Sequence, residues 1–384
     1  MNLLMDKMGY SINYSHMMAI LSLIVLIVHG CISTYIPESS ENRELVVVQG
    51  LITDGEKPDT IKLFRSFPLG KLHSAIPVTG CDVKVRDNLG REYVLVEIFP
   101  GVHITPETFK GRVGLTYKLL ISDRNNTHYE SDPVEMRPVP VIDSLYYEKV
   151  NTDKPAGFYK GIDACKIYID THDPSGNCKY FRWDFSETWM FRLNFSVPDS
   201  ICYINNNSHD IDIKSTAAFD KSTINRHLIK YITNETDRLK IRYSILVNQY
   251  SLNEEEYAYW EKMDNILSNV GGLYDMIPAS LPNNLHCIEN PDETVLGYFS
   301  VSSKSSERMF ISDRFEGIID RYSSCITATI YTKNPPGLNE SIWILLTNPC
   351  SMPCQTSYMI TNRRECADCT LRGTKRKPDF WTDK

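Results

Sequence analysis

The chain has 384 residues, of which 42% are hydrophobic, enough to bury a real core and to exclude disorder throughout. Its formal net charge of -7 argues against a nucleic-acid partner, because such surfaces need clustered cations to displace counterions from phosphates. The one basic cluster, Arg372, Lys375, Arg376 and Lys377, has the character of a solvated tail.

The first informative stretch runs over residues 17–28, apolar except for Ser22, and ends at Val28-His29-Gly30-Cys31. A bilayer-spanning helix needs about 20 apolar residues, whereas the apolar region of a secretory signal needs roughly 7 to 15 followed by small residues. Residues 1–30 are therefore expected to be a lipoprotein signal peptide, with a cysteine directly after small Gly30 as in a lipobox. Cys31 would carry the lipid and become the N-terminus, and residues 31–41 would be a short polar tether. The alternatives are an ordinary signal peptide cut near Gly30, with Cys31 a plain cysteine, and a retained single-span anchor. Setting Cys31 aside leaves an even number of the eleven cysteines, which in an exported chain favours disulfides.

From residue 45 onward, short alternating or β-branched runs are separated by turn chemistry. Runs at 45–52, 60–67, 81–86, 92–98, 114–122 and 128–136 have the spacing of a sandwich. Asp54-Gly55, Asp87-Asn88-Leu89-Gly90, Pro100-Gly101 and Asp123-Arg124-Asn125-Asn126 supply the turns between them. Residues 42–140 are thus expected to form an N-terminal Ig-like β-sandwich. Arg137-Pro138-Val139-Pro140 marks its end, since two prolines in three residues extend the chain and cannot donate to a ladder.

Residues 141–384 are expected to form a larger β-rich domain, with strands at 144–150, 165–170, 179–185, 239–247, 294–302, 319–331 and 341–346. The predicted fold class is mostly β with one main helix, at 253–269. Ser251 and Glu254 suggest a capping box, Glu254 to Glu256 place negative charge on the first turn, and Gly271-Gly272 would end the helix. Tyr257, Trp260, Met263 and Leu267 would form its apolar face.

The segment order resembles an outer-membrane lipoprotein family of the Bacteroidota, domain of unknown function 4249. The residues that carry the likeness are Leu45 to Gly50 with Ile52-Thr53-Asp54, Pro77 to Gly80 leading into Val83 to Asp87, and Pro138-Val139-Pro140 with Ile142 to Leu145. They continue through Phe181-Arg182-Trp183 with Glu187-Thr188-Trp189, Tyr257-Ala258-Tyr259-Trp260, Gly271 to Asp275 and Val295 to Phe299. Cys366-Ala367-Asp368-Cys369 and Lys377 to Trp381 complete the set. Cys81, where a small residue is expected, and Gly373, where a glycine pair is expected, depart from the pattern. The resemblance implies a lipid-anchored outer-membrane location beside TonB-dependent, SusC-type transporters. It brings no catalytic residues with it.

Cys350, Cys354, Cys366 and Cys369, spaced C-x3-C and C-x2-C, would suit zinc in the cytosol. In an exported chain the same four are expected to close two disulfides across a hairpin, with the pairing open. Asp170, His172 and Asp173 have metal-ligand side chains, but the following Pro174-Ser175-Gly176-Asn177 favours a turn. No G-x-S-x-G elbow, H-E-x-x-H pair or glycine-rich phosphate loop occurs, so neither an enzyme nor a cofactor or metal is expected. Tyr180, Trp183 and Trp189 cluster on one strand, either as core or as interface and ligand aromatics, with Arg182, Asp184 and Glu187 alternating among them. The leading expectation is an outer-membrane lipoprotein, a binding or assembly accessory of a barrel transporter whose ligand is unknown. A secreted hydrolase with a non-motif active site and a structural or adhesive surface protein are the rivals.

Overall fold

The computed structural model describes residues 44–382 apart from 57, 67–75, 153–161, 195–199, 270–280, 323–324, 333–342 and 349–355. The signal peptide, Cys31 and the tether, as well as Gly271-Gly272, Cys350 and Cys354, lie outside the described residues.

The chain is mostly β. Its first strands are β1 (Val46–Thr53), β2 (Thr60–Arg65), β3 (Ile76–Pro77), β4 (Asp82–Asp87), β5 (Glu92–Val94), β6 (Val96–Phe99), β7 (Val102–Ile104), β8 (Thr116–Ser122), β9 (His128–Ser131) and β10 (Val134–Glu135). Then follow β11 (Ile142–Thr152), β12 (Ile162–Asp173), β13 (Tyr180–Arg192), β14 (Ile201–Asn207), β15 (Asp212–Ser215), β16 (Ser222–Ile232) and β17 (Arg242–Leu252). After the helix α1 (Glu254–Asn269) come β18 (Leu285–Cys287), β19 (Leu296–Ser302), β20 (Lys304–Ile311), β21 (Thr327–Thr332), β22 (Trp343–Asn348) and β23 (Thr356–Thr361).

Two sheets enclose the first core. One runs β19-β1-β2-β7-β6 with β3 beside β2; the other runs β18-β9-β8-β4-β5 with β10 beside β8. Alternation sets the faces: Val46, Val48 and Ile52 of β1 meet Val83 and Val85 of β4 and Tyr117, Leu119 and Ile121 of β8. The expected sandwich over 42–140 takes two further strands from beyond α1, because β18 pairs with β9 and β19 runs parallel to β1. Gly297, at a φ of +97°, lies against β1 so closely that a Cβ would sit 1.9 Å from the Val48 carbonyl oxygen. Only glycine allows that strand to enter there.

A second sandwich stacks the sheet β11-β12-β16 on the sheet β14-β13-β17-β20, with β15 beside β13. Its core joins Cys165, Ile167 and Ile169 of β12 to Phe181, Trp183, Phe185 and Trp189 of β13 and Tyr243, Ile245 and Val247 of β17. The Arg137 to Pro140 segment is fastened to β17: Gln249 Nε2 donates to the Pro140 carbonyl and Ser251 Oγ to that of Arg137. A fifth sheet, β21-β23-β22, completes the described strands. Among the described residues no helix is long and apolar enough to cross a membrane.

The expected capping box is corrected. Asn253 is the cap, its Oδ1 accepting from the Glu256 N–H at 2.7 Å, while Ser251 lies within β17 and donates its hydroxyl to the Arg137 carbonyl. The apolar face is corrected as well: Glu256 and Tyr259 are the buried residues of α1 and Leu267 is 58% exposed. Glu256 turns inward, where the Trp260 indole donates to its Oε1 and the Arg182 charge lies close enough to favour its ionised form.

Candidate functional site

The aromatic strand β13 divides its residues by face. Phe181, Trp183 and Phe185 point into the second core, whereas Arg182 and Asp184 lie on the outer face of the sheet. Trp183 is 2% exposed and Trp189 6%, so both tryptophans are core residues and neither offers a surface to a partner. Their size explains this: a strand buried beneath another sheet gains most from the largest apolar side chains. Trp183 satisfies its indole N–H on Gln249 Oε1 at 2.9 Å. Tyr180 is half-buried, its ring 5.1 Å from that of Tyr257 on α1.

Around α1, three family-resemblance segments meet, those of Arg182, of Tyr259 and Trp260, and of Tyr298. The Arg182 guanidinium lies between the rings of Tyr250 and Trp260, at 4.9 and 4.7 Å from their centroids. Glu256 is fully buried, and its Oε1 accepts from the Trp260 indole at 3.2 Å. Burial pushes the Glu256 carboxyl pKa up, against the pull of Arg182, Ser300 and Trp260. Tyr259 stacks on Tyr298 of β19 at 5.1 Å, and the Tyr250 hydroxyl donates to Asp184 at 3.0 Å. Glu256, Tyr250, Tyr259 and Tyr298 are buried and the rest of the cluster is partly so, and its contacts fasten α1 to both sandwiches.

An open site lies on the other side of Trp183. His227 of β16 packs on the Trp183 ring at 4.5 Å and holds Asp212 of β15 at 2.7 Å through Nε2. Beside it is a groove of about 410 Å³ lined by Lys214, Phe219, Asn225, Arg226, His227 and Leu228 among others. A bulge in the β12–β16 register creates it, and Arg226 sits there at a φ of +55°, rare for a side chain with a Cβ. Asp170 accepts from the Arg226 N–H, and Glu148 pairs bidentately with the guanidinium, which also covers Tyr168 at 4.6 Å. The groove joins charged and apolar side chains with the hydroxyl residues Ser215, Thr216 and Thr223.

The Asp170, His172 and Asp173 group does not converge. His172 pairs with Asp143, Asp170 serves Arg226, and Asp173 accepts the N–H groups of Ser175 and Cys178 as turn chemistry demands. Among the described residues no group of three or more His, Cys, Asp or Glu side chains is placed to hold a metal.

The cysteine pairing runs outside the C-terminal four. Cys369 is bonded to Cys202 of β14, and Cys366 to Cys325. Two short helical turns, Arg364–Cys366 and Cys369–Leu371, bring these thiols onto the sheet surface and correct the expected cross-hairpin closure. Gly373 explains itself here, for a Cβ would lie 2.5 Å from the Tyr203 carbonyl oxygen. Cys81, Cys165, Cys178 and Cys287 are free thiols. Sequence reasoning missed Arg226, His227 and Lys214 altogether, since a polar bulged strand has neither a strict period nor a motif.

A search of curated proteins gives no match. A family model described as "Domain of unknown function (DUF4249)" matches residues 32–308, which spans both sandwiches, α1 and β19. With well over half of the chain matched, this protein belongs to the DUF4249 family.

Proposed function

We propose that this protein is a lipid-tethered outer-membrane lipoprotein, anchored through Cys31, that works by contact as a binding or assembly accessory of a TonB-dependent, SusC-type transporter. The observation that supports contact most directly is the free edge of the first sandwich. The chain passes from β5, last in one sheet, to β6, last in the other, turning at buried Leu95. Along this corner Val94, Val96, Ile98 and Phe99 are 54, 58, 46 and 67% exposed. An edge strand carrying exposed apolar side chains is a liability that proteins normally blunt with charge or cover. Left bare, it suits a partner that adds a strand or buries the apolar row. The tether adds proximity, because several acyl chains at about 0.8 kcal/mol per buried methylene hold a protein firmly at a membrane.

Affinity purification from gently solubilised native outer membrane tests the proposal. One barrel protein should co-purify in a stable complex, across an interface of at least about 1,000 Å². Val96→Lys with Phe99→Glu should abolish that complex while leaving the purified protein folded, and Cys31→Ala should release the protein from alkali-washed membranes. Migration alone, or an unaltered complex in the Val96/Phe99 variant, would overturn the assignment of this edge. A peptide or glycan hydrolysis abolished by one substitution would favour the hydrolase.

A further inference from the structure

The outer face of the β14-β13-β17-β20 sheet bears a second arrangement of arginines. On β17 the side chains of Arg242 and Ser244 share this face with Arg308 and Phe310 of β20, since Ser244 pairs with Phe310 and Leu246 with Arg308. The C-terminal segment covers them. It is held by the Cys202–Cys369 bond, by the bridge between Tyr203 and Thr374, and by Trp381, which is 4% exposed and packs on Tyr203 at 5.1 Å and Phe310 at 5.6 Å.

Beneath this cover, the Arg308 guanidinium lies 3.6 Å from the Phe380 ring centroid. Arg242 lies 4.7 Å from Phe310 and 5.8 Å from Trp381. Ring stacking occupies the flat faces of a guanidinium and leaves its five in-plane N–H donors free. The described residues accept few of those donors: Ser244 Oγ takes one from Arg308 at 3.0 Å, and Thr382 Oγ1 takes one from Arg242 at 3.2 Å. Arg242 Nε is buried with no acceptor among the described residues.

No described carboxylate neutralises either charge. Asp184, on the same face, is engaged by Asn248 and Tyr250, and Asp379 pairs with Arg376. Arg308 is partly buried with no counter-charge among the described residues, and burial pushes its pKa down. By contrast, Arg238 and Arg372, each 19% exposed, are paired with Glu187 and Asp237.

We infer that Arg242 and Arg308, with the Ser244 hydroxyl and under the Phe380–Trp381 cover, form a binding site for an oxyanion, a carboxylate or phosphate group of a ligand. Planar guanidinium forks, held by the Phe310, Phe380 and Trp381 rings, match both groups.

Equilibrium dialysis of the full chain against radiolabelled inorganic phosphate and, separately, succinate at constant ionic strength tests the site. Saturable binding of one probe per chain is expected, and which probe binds distinguishes a phosphorylated ligand from a carboxylate one. Arg308→Gln and Arg242→Gln should each weaken it about ten-fold or more, the loss of a charge-assisted hydrogen bond. Arg308→Lys, which keeps the charge and loses the fork, should bind with intermediate affinity. Arg376→Gln, on the exposed Asp379 pair, should change nothing. Circular dichroism checks that each variant is folded. Binding of neither probe, or equal binding by parent and both Gln variants, would overturn the site. If both Gln variants fail to fold, the Arg308→Lys affinity decides: an unchanged value would also overturn it.

Discussion

The two sandwiches bury different chemistry. In the first, the core is mainly Val, Ile and Leu with four Tyr and Phe side chains, Phe109, Tyr117, Tyr129 and Phe299, and further large apolar residues are displayed on the β5–β6 edge. In the second, nine Ile, Leu and Val side chains are joined by six Phe, Trp and Tyr, the sandwich encloses the Glu187 carboxylate, and it is covered outside by arginines packed on aromatic rings and a disulfide-held strap. The lesson is one of division of labour. The first sandwich rests mainly on aliphatic burial, with few buried polar pairs such as Asp87–Arg91, and has surface to spare, whereas the more aromatic and charged second one depends on particular partners and tolerates less change.

The sharpest way to break that contrast is to truncate one large aromatic residue in each half. Trp183→Ala removes a core indole and its bond to Gln249, and should lower unfolding free energy by about 3–5 kcal/mol. Phe99→Ala, on a side chain 67% exposed, should stay within about 0.5 kcal/mol. Urea titrations of both variants measure the difference. Equal effects would show that Trp183 is not a core residue.

The buried charge gives the next contrast. Glu187 is fully buried and accepts from Arg238 Nη2 at 2.8 Å, the Tyr243 hydroxyl at 2.8 Å and Asn206 Nδ2 at 3.1 Å. Burial pushes its pKa up, but these donors outweigh it and hold the carboxyl below its ordinary range. Glu187→Gln strands the Arg238 charge and should cost about 3–5 kcal/mol at pH 7. The parent's advantage, present above the unfolded carboxyl pKa, should shrink as pH falls through the lower folded value. In the first sandwich, Glu92→Gln breaks the exposed Arg86–Glu92 pair and should cost at most about 1 kcal/mol.

The sequence made the first sandwich more legible than the second for the same physical reason. Strands β1, β4 and β8 alternate cleanly, so their runs stand out from 45 to 122. The 92–98 run hid only its split at Leu95, where the chain changes sheets. In the second sandwich β16 went unseen, because Ser222 to Ile232 carries Asn225-Arg226-His227 across a bulge that resets the period. The polar strand β14, Ile201–Asn207, and the charged start of β20, Lys304–Ile311, were hidden likewise. The cluster at Tyr180, Trp183 and Trp189 was visible, but burial depends on long-range pairing that local sequence does not state. The disulfide partners share that limit, since Cys202 and Cys369 are 167 residues apart.

Cutting the strap should have a moderate effect confined to the second half. Cys369→Ser opens the bond to Cys202 and should cost about 2–4 kcal/mol, as for other long closed loops. Hydrogen exchange should rise at β14 and residues 373–382, while β1, β4 and β8 keep their protection. Loss of protection in β1 and β4 as well would mean the halves unfold as one.

The smallest effect separates two titrating groups inside the first sandwich. Burial pushes the Asp59 carboxyl up to about 6, with Asp54 adding to it and the Thr53 hydrogen bonds and Lys304 opposing. Burial pushes His103 down, against Glu97 and the Cys81 and Gly101 backbone. The signs are opposite. Asp59, raised above its unfolded value, contributes stability that is present at low pH and lost as pH rises through about 6. His103, depressed below its unfolded value, loses stability as pH falls below about 6.5. Relative to the parent, Asp59→Asn should therefore lose ground as pH drops from 7 to 5, and His103→Leu should gain it. Each difference should be on the order of 1 kcal/mol, since one pKa unit corresponds to about 1.4 kcal/mol. Urea midpoints at pH 5, 6 and 7 read both slopes. If the two difference curves run in the same direction, burial is not what sets these groups, and the aliphatic sandwich is less dry than its core residues imply.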